Sequence, residues 1–113
     1  MSADSATSQA IVEVRGDVDV HSAPQLRDRL TDVIDSGSRL VIVDLSNLDF
    51  IDSTGLGALV AVRNHGSETE STLRLVCSSE RLLKLFRITG LHEVFDIYDT
   101  VPKAVGAGSS ASS

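Results

Sequence analysis

A continuous apolar run, Leu40-Val41-Ile42-Val43-Asp44-Leu45, does most to limit the folds open to this chain. It is rich in β-branched residues and does not alternate, the pattern of a strand covered on both faces and flanked by parallel neighbours. Within a few residues the character changes. Phe50-Ile51-Asp52-Ser53-Thr54-Gly55-Leu56-Gly57 leads into a stretch, Leu56 to Val62, that is apolar and helix-compatible. Ser53 stands at the turn and is expected to be the N-cap of that helix, its hydroxyl accepting a hydrogen bond from one of the unpaired first amides. A hydroxyl is thereby presented at a helix N-terminus.

The remaining elements alternate in the same way. Ile11 to Val14 reads as a strand broken by Gly16, with a loop from Asp17 to His21. The first helix is signalled by a Ser22/Gln25 capping box, Pro24 in the first turn, and Leu26, Leu30, Val33 and Ile34 at helical spacing, with Gly37 as its end. The central strand covers Leu40 to Leu45, and the second helix about Thr54 to His65, stopped by Gly66. Thr72 to Cys77 forms the next strand. Ser79 caps a third helix with Leu82, Leu85 and Phe86 on one face and Arg81, Lys84 and Arg87 on the other, as a solvated face or a contact surface. Gly90 supplies a left-handed stop with Leu91 as its apolar contact, Val94 to Tyr98 is a last strand, and Thr100 caps a short final helix. Residues 1–9 and 106–113 are expected to be flexible ends of one domain spanning 10–105. The second helix has little polar face in its first two turns, so it is either enclosed between the other helices or lends one side to a partner, and the partner is favoured in so small a chain.

The chemistry of this domain is restricted. A formal charge of −6 opposes direct binding to nucleic acid or to an anionic membrane. No run approaches the 18 or so apolar residues of a membrane-spanning helix, and the polar start Met1 to Gln9 is no signal peptide, so a cytoplasmic protein is expected. Cys77, the single cysteine, has no partner within the chain and is expected to be buried. A hydrolase elbow requires glycine two residues before Ser53, where Ile51 stands, and no glycine is followed by lysine as in a phosphate-cradling loop. His21, His65 and His92 are isolated, and Asp17-x-Asp19 does not complete a cation site. No enzyme activity, metal or cofactor is expected.

Asp52-Ser53-Thr54-Gly55-Leu56-Gly57 resembles the signature of the anti-sigma-factor antagonists, the bacterial branch of the STAS domain family and in particular its actinobacterial developmental regulators. Gly16-Asp17-Val18-Asp19-Val20-His21-Ser22-Ala23 resembles the family's upstream loop and helix start, and Leu82 to Leu91 its third helix. The resemblance implies an α/β STAS fold, a mixed four- to five-stranded sheet with helices mainly on one face, although the polar N-terminus does not signal the family's additional first strand. It implies that the unphosphorylated protein binds an anti-sigma factor with serine-kinase activity and releases a sigma factor, that phosphorylation of Ser53 ends binding, and that a serine phosphatase restores it. Asp19, Asp52, Ser53, Thr54, Gly55, Leu56 and Gly57 are the implied partner-binding residues. Local chemistry alone leaves Thr54 as a rival acceptor. It also leaves open a STAS subunit of a transport or signalling complex, never phosphorylated, that uses the same helix surface.

Overall fold

The computed structural model describes residues 9–112, with side chains described as far as Gly106. Four strands, β1 (Gln9–Val18), β2 (Leu40–Ile51), β3 (Thr72–Val76) and β4 (Asp96–Tyr98), form one sheet in the order β1-β2-β3-β4. Helices α1 (Ala23–Asp35), α2 (Ser53–Glu68) and α3 (Glu80–Ile88) connect successive strands, a 3-10 turn at Leu91–Glu93 precedes β4, and α4 (Val101–Ser112) follows it. Each connection crosses over through a helix, so each pair of neighbouring strands runs parallel. Among the described residues the sheet has the expected four strands, all parallel, and residues 1–8, where the additional strand of a mixed sheet would fall, lie outside the description.

Alternation along β2 explains its continuous apolar run. Val41, Val43 and Leu45 join Val12, Val14, Leu73 and Leu75 under α1, α2 and α3, while Ile42 turns to the opposite face and packs with Val76 and Ala104 of α4. Three helices thus cover one face and one covers the other. Arg74 ties α4 down: its guanidinium donates to the Ala104 carbonyl at 2.8 Å and lies 6.0 Å from the centre of the Tyr98 ring. Phe86 of α3 meets Phe95 edge to face at 6.1 Å, closing the core beneath the 3-10 turn.

Several boundaries differ from those read in the sequence. Gly16 does not break β1; at φ 74° it sits between two register shifts, and the strand continues to Val18. Gly66 does not stop α2, which runs on to Glu68; a Cβ there would lie 3.3 Å from the Ser71 carbonyl oxygen, so glycine permits close passage of helix and chain, and Glu70 takes the left-handed turn at φ 64°. The tail from Gly106 continues the α4 helix to Ser112 instead of leaving it. By contrast Ser79 accepts from the Leu82 amide at 3.4 Å, Gly90 is left-handed at φ 77°, and Thr100 accepts from the Lys103 amide at 3.3 Å, as their residue types imply.

Leu56, Leu59 and Val62 are buried against the sheet, so the apolar character of α2 is mostly consumed inside the molecule. The enclosed reading applies to these residues, and a partner would meet only the narrow strip that remains. The helix comes this close because of Gly55: a Cβ on it would lie 2.6 Å from Ile51 Cγ1 and 2.7 Å from Val18 Cγ1. Gly57, two residues later and therefore on the other side of the helix, meets nothing within 4 Å. Gly55→Ala should accordingly cost about 1–3 kcal/mol by overpacking, whereas Gly57→Ala should gain up to about 1 kcal/mol from helix propensity. Urea unfolding of the two variants checks this, and equal effects would contradict the packing described.

Candidate functional site

Because the strands are parallel, their C-terminal ends and the loops that follow them share one edge of the sheet, the edge where open α/β sheets place their sites. Here the Asp52 amide donates to the Val18 carbonyl at 3.2 Å, so the β1–α1 loop beginning at Asp19 lies beside the start of α2. Asp52 has an extended backbone, and its carboxylate accepts the Gly55 amide at 3.1 Å while its carbonyl accepts the Leu56 amide at 3.0 Å. Asp52, not Ser53, is therefore the cap. Aspartate is a strong capping residue and its charge suits the helix N-terminus, which relieves Ser53 of that duty.

Ser53 becomes the first residue of α2, exposed, and among the described residues its hydroxyl has no hydrogen-bond partner. Thr54 is exposed beside it, and Gly57 and Ala61 follow at helical spacing. This strip carries no bulky side chain. Between it and α1 runs a shallow groove of about 220 Å³ lined by Ala23, Pro24, Arg27, Thr54, Gly57 and Ala61. Two residues expected in the contact surface are corrected by the structure: Leu56 is 4% exposed in the core, and Gly55 is buried against Ile51 and Val18. Their side-chain positions face inward because the cap at Asp52 sets the phase of the helix.

The Asp19 loop is built from reciprocal hydrogen bonds. Its carboxylate accepts the amides of His21 at 2.9 Å and Ser22 at 3.1 Å, while the Ser22 hydroxyl accepts the Asp19 amide at 3.0 Å. This is the pattern of a capping box placed three residues upstream of the expected Ser22/Gln25 pair, and Ser22 makes no cap bond to α1. The amides of His21 and Ser22 stabilise the ionised form and hold the Asp19 carboxyl below its ordinary value of 3.8. Val20, at 59% exposure in the same loop, is an apolar residue in solvent that hydropathy patterning does not flag, because a lone valine between polar residues carries no period. Asp17 and Asp49 are exposed on the neighbouring strand ends.

The histidines are employed elsewhere or solvated. His65 lies 2.7 Å from Asp35 and joins α2 to the end of α1, roughly 18 Å along the helix from Ser53. His92 faces Glu93, and His21 is exposed. Among the described residues no three His, Cys, Asp or Glu converge as a metal site, and no helix is long and apolar enough to cross a membrane. Cys77 is 1% exposed, and burial pushes its thiol upward from the ordinary value, so it stays protonated.

The parallel α/β domain thus presents an exposed serine hydroxyl at a helix start that a neighbouring aspartate caps. The family model of the STAS domain matches residues 2–104. The chain is 41% identical to the anti-sigma-B factor antagonist of Bacillus subtilis over 76% of its own length and 78% of the relative's, and 35% identical to that of Staphylococcus aureus over 76% and 80%. The chain belongs to the STAS domain family, on the side of the anti-sigma-factor antagonists. Among solved structures it resembles an anti-sigma factor antagonist from Mycobacterium paratuberculosis, with TM-score 0.78, 27% identity and coverage of 86% and 82% of the two chains. It shares its fold with SpoIIAA in the unphosphorylated form, at TM-score 0.76, 22% identity and coverage of 92% and 91%.

Two outcomes follow from the site. Asp52→Ala should lose about 1 kcal/mol of stability, while Ser53→Ala should stay within about 0.5 kcal/mol of the parent; urea midpoints that reverse this order would return the capping role to Ser53. Since the folded Asp19 value lies below 3.8, its contribution to the loop is complete above that pH and is lost as pH falls through the lower folded value. The amide shifts of His21 and Ser22, followed by NMR, should move together in that acid range, and a midpoint at or above 3.8 would contradict the bonding described.

Proposed function

We propose that this protein is a partner-switching antagonist whose unphosphorylated form binds an anti-sigma factor and so releases a sigma factor. The observation that carries the reading is that Asp52 caps α2, leaving the Ser53 hydroxyl exposed and unbonded at the helix start. The anti-sigma factor acts in this reading as a serine kinase, and a serine phosphatase in the same cytoplasm reverses its work. Ser53 is the acceptor; Asp19, Asp52, Thr54 and Gly57 surround it as partner-contact residues, with Val20 as an apolar addition.

The chain needs no catalytic group of its own. A kinase holding ATP supplies the nucleotide, the metal and the base. Ser53 Oγ attacks the γ-phosphorus, the new O–P bond forms as the bond to the β-phosphate oxygen breaks, the hydroxyl proton passes to the kinase's base, and ADP leaves. The product carries about −1.5 to −2 additional charges. The helix dipole favours them by about 0.3–1 kcal/mol, while the neighbouring carboxylates of Asp52 and Asp19 oppose them. With the cap on a different residue, these terms nearly offset each other and the helix start survives modification. The uncompensated charge and bulk fall on the partner contact, where like-charge juxtaposition and desolvation oppose docking. A loss of about 3 kcal/mol there corresponds to roughly a hundredfold in affinity.

Ser53→Ala and Ser53→Asp, used as parallel baits in host lysate and then in titrations against the retained protein, test the switch. Ala should retain an ATP-binding anti-sigma factor and Asp should bind it about a hundredfold more weakly; with ATP, phosphate on the parent chain should map to Ser53 and not Thr54. Equal binding of both variants, or retention of transport subunits in place of a kinase, would assign the chain to an interaction subunit that is never phosphorylated.

A further inference from the structure

β2 overruns its neighbour: Asp44 is its last residue paired with β3, opposite Val76, yet the strand continues to Ile51 alongside β1 alone. Helix α3 lies along the edge left open, and the Arg81 guanidinium donates to the Asp49 carbonyl at 2.6 Å. Between strand end and helix is a groove of about 330 Å³, lined mainly by Phe50, Leu82, Leu85 and Ile88, with Arg81 and Lys84 on its rim. Two of its walls are large apolar side chains in solvent, Phe50 at 50% and Ile88 at 71% exposure. Nothing in the switch at Ser53 uses them.

We propose that this groove is a second docking point that seats an acidic amphipathic helix of a partner protein. Three observations select that occupant. Arg81 and Lys84 outnumber Asp49, the one carboxylate among the lining residues, in a chain of net charge −6, and among the described residues no carboxylate lies within ion-pair distance of Arg81, Lys84 or Arg87. A negatively charged flank therefore gains attraction here that the rest of the surface denies it. The groove's Asp49 carbonyl is already taken by Arg81, which obstructs pairing with an added strand at that point and favours a segment whose backbone bonds are satisfied internally, as in a helix placing apolar anchors one turn apart. A concave site on a net acidic chain also suits a peptide better than an anionic bilayer. Phe50 precedes Ser53 by three residues, at most about 11 Å of chain, so one partner can reach both the groove and the acceptor.

The test uses the full chain and two fluorescein-labelled helical peptides of about three turns, with the same leucines at i, i+3 and i+7 and either glutamate or lysine flanks. In anisotropy titrations the glutamate peptide should bind saturably and the lysine twin at least about tenfold more weakly. Ile88→Ser and Lys84→Glu should each weaken the glutamate peptide about tenfold, and Arg29→Gln on α1 should leave it unchanged. Both groove positions are exposed, so folding is retained, and circular dichroism verifies it. Equal affinity for the twins, absence of saturable binding, or indifference to Ile88→Ser overturns the proposal. Ile88-dependent sedimentation with phosphatidylglycerol vesicles would overturn it in favour of a membrane surface, and an Ile88-dependent dimer in light scattering in favour of a second copy.

Discussion

The close approach of α2 to the paired ends of β1 and β2 is the constraint on which the rest depends. Gly55 lets the helix start rest directly on Ile51 and Val18, and the Asp52 cap on the Gly55 amide fixes how that helix is rotated. Rotation decides everything about the site. It sends Leu56, Leu59 and Val62 into the core and leaves Ser53, Thr54, Gly57 and Ala61 outside. A larger residue at position 55 would lift the helix, and a cap displaced by one residue would turn a different side chain to solvent.

Two carboxylates beside Ser53 hold their surroundings in shape through backbone amides. Asp52 closes the first turn of α2, and Asp19 orders the adjacent loop through His21 and Ser22. Their negative charge is thus maintained near Ser53 by the same bonds that shape the surface. A charge added at Ser53 would be tolerated at the helix start but penalised wherever a partner excludes water. The stability of the helix start and the chemistry of Ser53 are separable for that reason.

Much of the fold was legible because periodicity and punctuation agree. The β2 run, the Ser79 and Thr100 caps and the Gly90 stop all occur where residue type alone places them. Gly16 and Gly66 were harder, since glycine serves equally for termination, for a bulge and for close packing, and only the neighbouring element decides among these. The site was legible in composition but not in assignment of roles. Asp52 and Ser53 are both good caps, and the sequence does not say which backbone is extended. The apolar excess of α2 was visible, but its destination depended on how three helices share one sheet face. Val20 and the Phe50–Ile88 groove had no local signal, since the groove arises from the overrun of one strand past another.

The parallel pairing of the four described strands bears on how the chain reaches this state. Among the described residues no two neighbouring strands are joined by a tight turn: Gln9 pairs with Leu40, Leu40 with Thr72, and Arg74 with Asp96. Each of these three ladders must wait for an intervening helix to be bridged, and the entropy of closing that length of chain is lost before strand contacts compensate it. During synthesis β1 emerges well ahead of the strand that will cover its inner edge. The early chain therefore holds Val12 and Val14 without their native neighbours, and the search for the sheet begins in earnest once β2 is free of the ribosome.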